Sequence, residues 1–105
     1  KNIINFPNYN KENNPSYHLV LININFRRLN INKDLFLKYL MNKSIICQFH
    51  YIPIYKFSLY KNKKIKLDGS EEYYNTTLSI PIFHNLNIKK QDKVIKIIKN
   101  FFKKF

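Results

Sequence analysis

Two short apolar runs, each broken by a proline, set the strongest limit on the fold: HYIPIY at residues 50–55 and LSIPIF at residues 78–83. Proline fixes φ and removes a backbone donor, so it stands at the end or edge of a strand rather than inside a ladder. Both runs therefore predict strands that give way to loops at the proline. One follows a helix-like segment and the other precedes one, so the two strand ends present side chains to a shared surface. That arrangement suits a site better than a core.

The rest of the chain supplies partners for those strands. Residues 1–15 are rich in Asn with scattered Pro and charge, which predicts a loop or linker. From 17 to 26 the apolar positions run together and then alternate, with Ile22, Ile24 and Phe26 set against Asn23 and Asn25. This predicts a strand that is buried on both faces at its start and on one face at its end. Asn32 can cap a helix running to about Met41, with Asp34 in the first turn, where the macrodipole favours negative charge. Leu35, Phe36, Tyr39 and Leu40 share a face of it. A short strand over 45–49 follows. The turn into it falls to Asn42 or Lys43, since Asn tolerates the left-handed conformation best.

The Lys-rich stretch 56–69 predicts an exposed loop. Residues 70–76 predict one or two helical turns, with Glu71 and Glu72 near the N-terminus, and 78–83 a third strand. Asn87 caps a last helix whose Val94, Ile98, Phe101 and Phe105 form a stripe, widened by Ile95 and Phe102. Three or so short strands with two main helices make a small α+β layer.

Composition narrows the function. At 105 residues the chain is one domain at most. With 45% hydrophobic residues, nine Phe and eight Tyr, it can bury a core, which excludes a disordered chain. A net charge of +13 would suit nucleic acid or an anionic membrane surface. The positive residues, however, are 17 Lys and only two Arg, Arg27 and Arg28, whereas base and phosphate recognition favours the planar fork of Arg. With no Ala, one Gly, 16 Asn and 16 Ile, the excess Lys reads as A/T-rich coding. The single cysteine, Cys47, allows no internal disulfide and no cysteine-based zinc site. Inside the run IICQF it reads as a small buried hydrophobe. The three histidines lack metal-ligand spacing, so no metal site is expected. No apolar run approaches the ~18 residues of a membrane span, which leaves a cytoplasmic protein as the default.

In order, a Ser-Tyr-His-Leu segment at 16–19, a helix, the apolar run at 45–49, HYIPIY, EEYY at 71–74, LSIPIF and a terminal amphipathic helix resemble one known domain. It is the C-terminal small domain of the DegT/DnrJ/StrS family, fold-type-I, pyridoxal-phosphate-dependent aminotransferases that act on nucleotide-linked keto sugars. The resemblance covers residues 16–105 and leaves 1–15 as the linker. Its SIPI and HYIPIY segments are most similar to the UDP-4-amino-4,6-dideoxy-N-acetyl-altrosamine transaminase branch. The resemblance implies a homodimeric enzyme of amino-sugar biosynthesis for cell-surface polysaccharide, with an amino group passing from glutamate to the keto sugar through pyridoxal 5'-phosphate. In the family the Schiff-base Lys and the acid facing the pyridine nitrogen lie in a large N-terminal domain. The chain is therefore expected to be a fragment without that domain, inactive alone, with no catalytic or cofactor-binding residue among its own 17 lysines. Two departures stand out: Ser44 where the family usually has Gly, and His84-Asn85 where it commonly has Pro-Gly.

The resemblance implies a substrate-binding role for His50 and Tyr51, because the family's equivalent segment lies close to the active-site cleft. An imidazole and a phenol at a strand end can bond the hydroxyl, amide or phosphate groups of a sugar nucleotide. The alternative is a His bonded to a backbone carbonyl and a Tyr packed with its hydroxyl at the surface. His18 reads as a satisfied structural histidine, and His84 has no motif behind it. Arg27 and Arg28 end a strand, where adjacent side chains point to opposite faces, so at most one could face an anion and a solvated pair is expected. Tyr73 and Tyr74 read as packing residues. The rival function is a free-standing basic α+β module that binds nucleic acid through its Lys-rich surface. The reading frame upstream of Lys1 separates the two.

Overall fold

The computed structural model describes residues 3–8, 10, 12–60 and 65–105. Positions 1, 2, 9 and 11 of the expected linker and 61–64 of the expected Lys-rich loop lie outside the described residues. In chain order the elements are strands β1 (Ile4–Asn5) and β2 (Val20–Ile24), helix α1 (Lys33–Met41) and strand β3 (Gln48–Phe49). Helix α2 (Asp68–Thr76), strand β4 (Thr77–Ile80) and helix α3 (Ile88–Phe102) follow. Among the described residues the strands form one antiparallel sheet in the order β1-β2-β4-β3. The α+β expectation holds, with a fourth strand, β1, added and the helical turns expected at 70–76 lengthened into α2.

Register decides which side chains share a face. Ile22 and Phe49 both lie opposite Leu78, so these three point to one side of the sheet. Leu21 and Gln48 lie opposite Ser79, and Asn23 lies opposite Thr77, on the other side. α1 and α3 close the apolar side. Phe36 and Leu40 of α1 are fully buried, and the Phe36 ring lies 4.9 Å from that of Phe101 and 5.2 Å from that of Phe102 on α3. Burying each such side chain is worth ~1.5–3 kcal/mol. The Tyr39 hydroxyl donates to the Ile97 carbonyl at 3.3 Å and ties the two helices together.

The helix starts match the sequence reading. Asn32 accepts from the Asp34 amide at 2.8 Å and Asn87 from the Lys90 amide at 2.9 Å, each satisfying one orphan donor. The end of α1 differs from expectation. Ser44, not Asn42 or Lys43, takes the positive φ, at 59°. The Ile45 amide reaches back to the Leu40 carbonyl and the Ser44 amide to that of Met41, both at 2.9 Å. These are the two bonds of a Schellman motif, and they place the left-handed residue at Ser44. Ile45 is then buried beside Leu40, completing the motif's apolar contact.

Other boundaries moved. Ile4–Asn5, inside the stretch read as loop or linker, pairs with β2, and two residues are too few for alternation to reveal. β2 begins at Val20 rather than 17, after Tyr17 takes a φ of 47°. β3 and β4 are shorter than expected, and β4 stops immediately before Pro81. The helix faces are narrower than the stripes suggest: Leu35 and Ile95 are exposed, Ile97 rather than Ile95 packs against the core, and Phe105, also exposed, lies beyond the end of α3.

Candidate functional site

His50 leaves β3 and turns under the sheet's polar side. Its ring is only 5% exposed, and its Nε2 lies 2.7 Å from the Ser79 hydroxyl on β4. Ser79 faces that way because β4 alternates, with Leu78 toward the core and Ser79 away from it. Beside this pair, the Thr77 hydroxyl donates to Asn23 Oδ1 at 2.8 Å across β2 and β4. The polar side is therefore a row of satisfied, buried hydroxyls. The His50 Nδ1 atom is buried and finds no partner among the described residues.

Tyr51 goes the other way. It is 73% exposed, and its ring stands edge-on to that of His50 with centroids 4.7 Å apart. Of the expected pair, then, Tyr51 faces solvent and His50 lies beneath it. The chain continues through Pro53 into a single 3-10 turn at Ile54–Lys56 and a second at Ser58–Tyr60. Ile52, Ile54, Phe57, Leu59 and Tyr60 are exposed along this path, whereas Tyr55 is buried.

Helix α2 meets that loop through charge. The Tyr55 hydroxyl donates to Glu71 Oε1 at 2.8 Å, and the Lys56 ammonium donates to Glu71 Oε2. The Lys56 and Tyr55 bonds hold the Glu71 carboxyl below its usual range, and Glu71 in turn raises Lys56. Burial and the bond to Glu71 push the Tyr55 phenol up. A second cation, Lys33 at the start of α1, lies 3.6 Å over the Tyr74 ring and 4.6 Å over the Phe49 ring. Its nitrogen is buried without a hydrogen-bond partner among the described residues. The attraction of a cation for an aromatic face holds it there.

The remaining candidates sort by position. Arg27 and Arg28 are exposed, as a solvated pair should be, but they sit in a turn after β2 rather than in the strand. Strand alternation does not apply to them, and both line one open hollow with Lys66, Glu71 and Asn75. His18 and His84 are exposed. Tyr74 packs as expected, while Tyr73 is exposed. Burial pushes the Cys47 thiol up to about 11, which leaves it unreactive at neutral pH. Sequence reading missed the Glu71 contacts and Ser79, whose partners lie 15, 16 and 29 residues away.

A pyridoxal phosphate site needs a lysine free to meet an aldehyde. Lys33 is closed in by two rings and Lys56 is held by Glu71. Neither of these two enclosed lysines is therefore free to take that part. Among the described residues no cluster of His, Cys, Asp or Glu could hold a metal, and no helix is long and apolar enough to cross a membrane.

Comparison with known proteins gives a consistent set of relatives. Residues 2–99 match the family model for DegT/DnrJ/EryC1/StrS aminotransferases. A Campylobacter jejuni UDP-4-amino-4,6-dideoxy-N-acetyl-beta-L-altrosamine transaminase is 32% identical over 82% of this chain and 22% of its own length. The Helicobacter pylori enzyme of the same name is 31% identical over 70% of this chain and 20% of its own. Among solved structures, Helicobacter pylori PseC, an aminotransferase involved in the biosynthesis of pseudoaminic acid, superposes with a TM-score of 0.75 at 29% identity. The match covers 84% of this chain and 24% of that one. The aminotransferase TlmJ from Streptoalloteichus hindustanus reaches a TM-score of 0.80 at 19% identity, a likeness of fold, over 95% of this chain and 26% of its own. The chain thus spans about a fifth to a quarter of the relatives it matches.

Proposed function

The chain belongs to the DegT/DnrJ/EryC1/StrS aminotransferase family, and from that membership we propose that it serves as the C-terminal small domain, residues 16–105, of a nucleotide-sugar aminotransferase. The intact enzyme transfers an amino group, with glutamate as donor, to a UDP-linked keto sugar. Pyridoxal 5'-phosphate is held by the family's larger N-terminal portion, so the domain alone is inactive. The enzyme works as a cytoplasmic homodimer. The observation that carries this reading is the match over 82% of the chain to a protein named as a UDP-amino-sugar transaminase. The rival nucleic-acid module has no support from that match.

Within this reading His50 and Tyr51 form the substrate-side pair. The exposed Tyr51 phenol supplies the contact to the sugar nucleotide, and the buried His50 ring, braced on Ser79, sets its position. In the intact enzyme Tyr51→Phe is expected to lower the specificity constant for the keto sugar roughly three- to ten-fold, the scale of one neutral hydrogen bond. His50→Ala, which removes the support as well, is expected to cost roughly ten- to a hundred-fold. The half-reaction with the amino donor stays near normal in both, because the donor is smaller and does not reach the nucleotide. A parallel fall of both half-reactions would mean that the pair acts on the cofactor or holds the fold. No change in either would make both residues structural only.

A further inference from the structure

α2 contributes no buried residue, so the apolar core does not hold it. It is gripped along one face instead. Glu71, in its first turn, accepts from Tyr55 on one oxygen and from Lys56 on the other. Tyr74, three residues on and so on the same side of the helix, meets Phe49 edge-on and carries the Lys33 ammonium. Tyr55 and Lys56 belong to the 3-10 turn that ends HYIPIY, four and five residues after the exposed Tyr51. Between them Ile52 and Ile54 are exposed and only Pro53 is buried, so the clasp at Tyr55 and Lys56 is the polar attachment at the far end of this stretch.

Resting on the reading of Tyr51 as a substrate contact, we propose that Glu71 is a positioning residue. Its carboxylate clasps Tyr55 and Lys56, and so sets where the HYIPIY loop presents Tyr51 to the nucleotide-linked sugar. The two donors come from adjacent residues and land on the two oxygens of one carboxylate, a two-point attachment that fixes orientation as well as distance. Glu72, next in sequence, faces solvent and can serve as the control.

Hydrogen exchange in this chain tests the clasp directly. The Lys56 amide bonds the Pro53 carbonyl at 2.9 Å and the Phe57 amide bonds that of Ile54 at 3.1 Å, so both report on the loop. Amides of the β2–β4 ladder report on the core. Glu71→Ala is expected to speed exchange at Lys56 and Phe57 about ten-fold or more, the scale of one charge-assisted bond, and to leave the ladder unchanged. Glu71→Gln, which keeps an acceptor for Tyr55, gives a smaller rise, and Glu72→Gln gives none. In the intact enzyme Glu71→Ala raises KM for the sugar nucleotide while kcat and the amino-donor half-reaction hold, and Glu71→Gln recovers part of the loss. Unchanged exchange at Lys56 and Phe57, or equal acceleration across the ladder, overturns the proposal. So does a loosened loop with an unchanged KM. Tyr51→Phe leaves the clasp in place and judges the underlying reading separately. Normal sugar-nucleotide kinetics in that variant would remove the Tyr51 contact while the exchange result on Glu71 stands.

Discussion

Leu78 and Ser79 are neighbours on β4, yet they anchor two regions built on different physics. Leu78 points into a cluster of Ile22, Ile24, Phe36, Leu40, Ile98 and Phe101, where stability comes from apolar area removed from water. Ser79 points to the opposite side, where it bonds His50, and from His50 the chain runs into a loop held at its far end by Glu71. The first region tolerates changes that conserve volume, because dispersion and burial are not directional. The second depends on single donors meeting single acceptors, so deleting one atom leaves its partner stranded. The apolar side gives the domain its stability, and the polar side can place a side chain at a chosen point without contributing much to it.

The sharpest way to break that contrast is a deletion in the core. Phe36→Ala, at a fully buried ring touching two others, should destabilise the chain by about 3–5 kcal/mol. Ile98→Ala should follow at about 2–5 kcal/mol, and Ile95→Ala, three residues earlier and exposed, should fall within about 0.5 kcal/mol. Urea midpoints of the three variants decide the point. Equal costs at 95 and 98 would show that α3 is docked in another rotation.

Next in size is Ser79→Ala. It leaves a buried His50 nitrogen without its partner, a loss of about 1–3 kcal/mol. Replacing both members, His50→Leu with Ser79→Ala, should cost less than the serine change alone, because no stranded polar atom remains. If the double variant is the less stable of the two in urea, the pair is held by shape rather than by its hydrogen bond.

The same contrast explains what could be read from the chain beforehand. Ile22, Ile24 and Phe26, the Asn32 and Asn87 caps and the Ile98–Phe101 stripe are local patterns, and physics that acts over three or four residues exposes them. The proline of LSIPIF correctly marked the end of β4, whereas HYIPIY holds no strand, because β3 already ends at Phe49. The Ser79–His50 and Glu71–Tyr55 bonds join residues distant in sequence, and no periodicity predicts which hydroxyl meets which acceptor. The proline-broken run and the family resemblance both point to HYIPIY, but only the fold separates the exposed Tyr51 from the buried His50. Leu35 and Ile95 are exposed because a helical stripe is wider in sequence than the strip of sheet that receives it, and Phe105 because α3 ends at Phe102.

Between the two regions lies the turn at Ser44, and it offers a change of opposite sign. A left-handed φ of 59° strains any residue with a Cβ. Ser44→Gly removes that strain while adding some unfolded-state entropy. The net expectation is a gain of about 0.5–1 kcal/mol, read as a higher thermal midpoint. A lower midpoint would mean that the serine side chain supplies something glycine cannot.

The smallest effect separates the regions by pH. Glu71 is held below its usual range by the Lys56 bond first and the Tyr55 bond second, with the charge of Lys66 adding to the pull. A depressed carboxyl contributes stability that is fully present above its unfolded value, about 4.3, and is lost as pH falls through the lower folded value. Lys56 is raised by the same bond, so its share is present below the ordinary lysine value and is lost only as pH rises through the higher folded one. Tyr55, also raised, keeps its donor proton over the same neutral range. The clasp is therefore complete from weakly acidic to weakly alkaline pH and opens at either extreme. Glu71→Gln removes the titrating group but keeps an acceptor for Tyr55. The wild-type advantage over that variant should be constant near neutrality and disappear as pH drops below the carboxylate range. The core variants Phe36→Ala and Ile98→Ala have no titrating partner, and their deficits should stay level through the same acid range. A wild-type advantage over Glu71→Gln that persists in acid would mean that the carboxylate charge does not hold the loop.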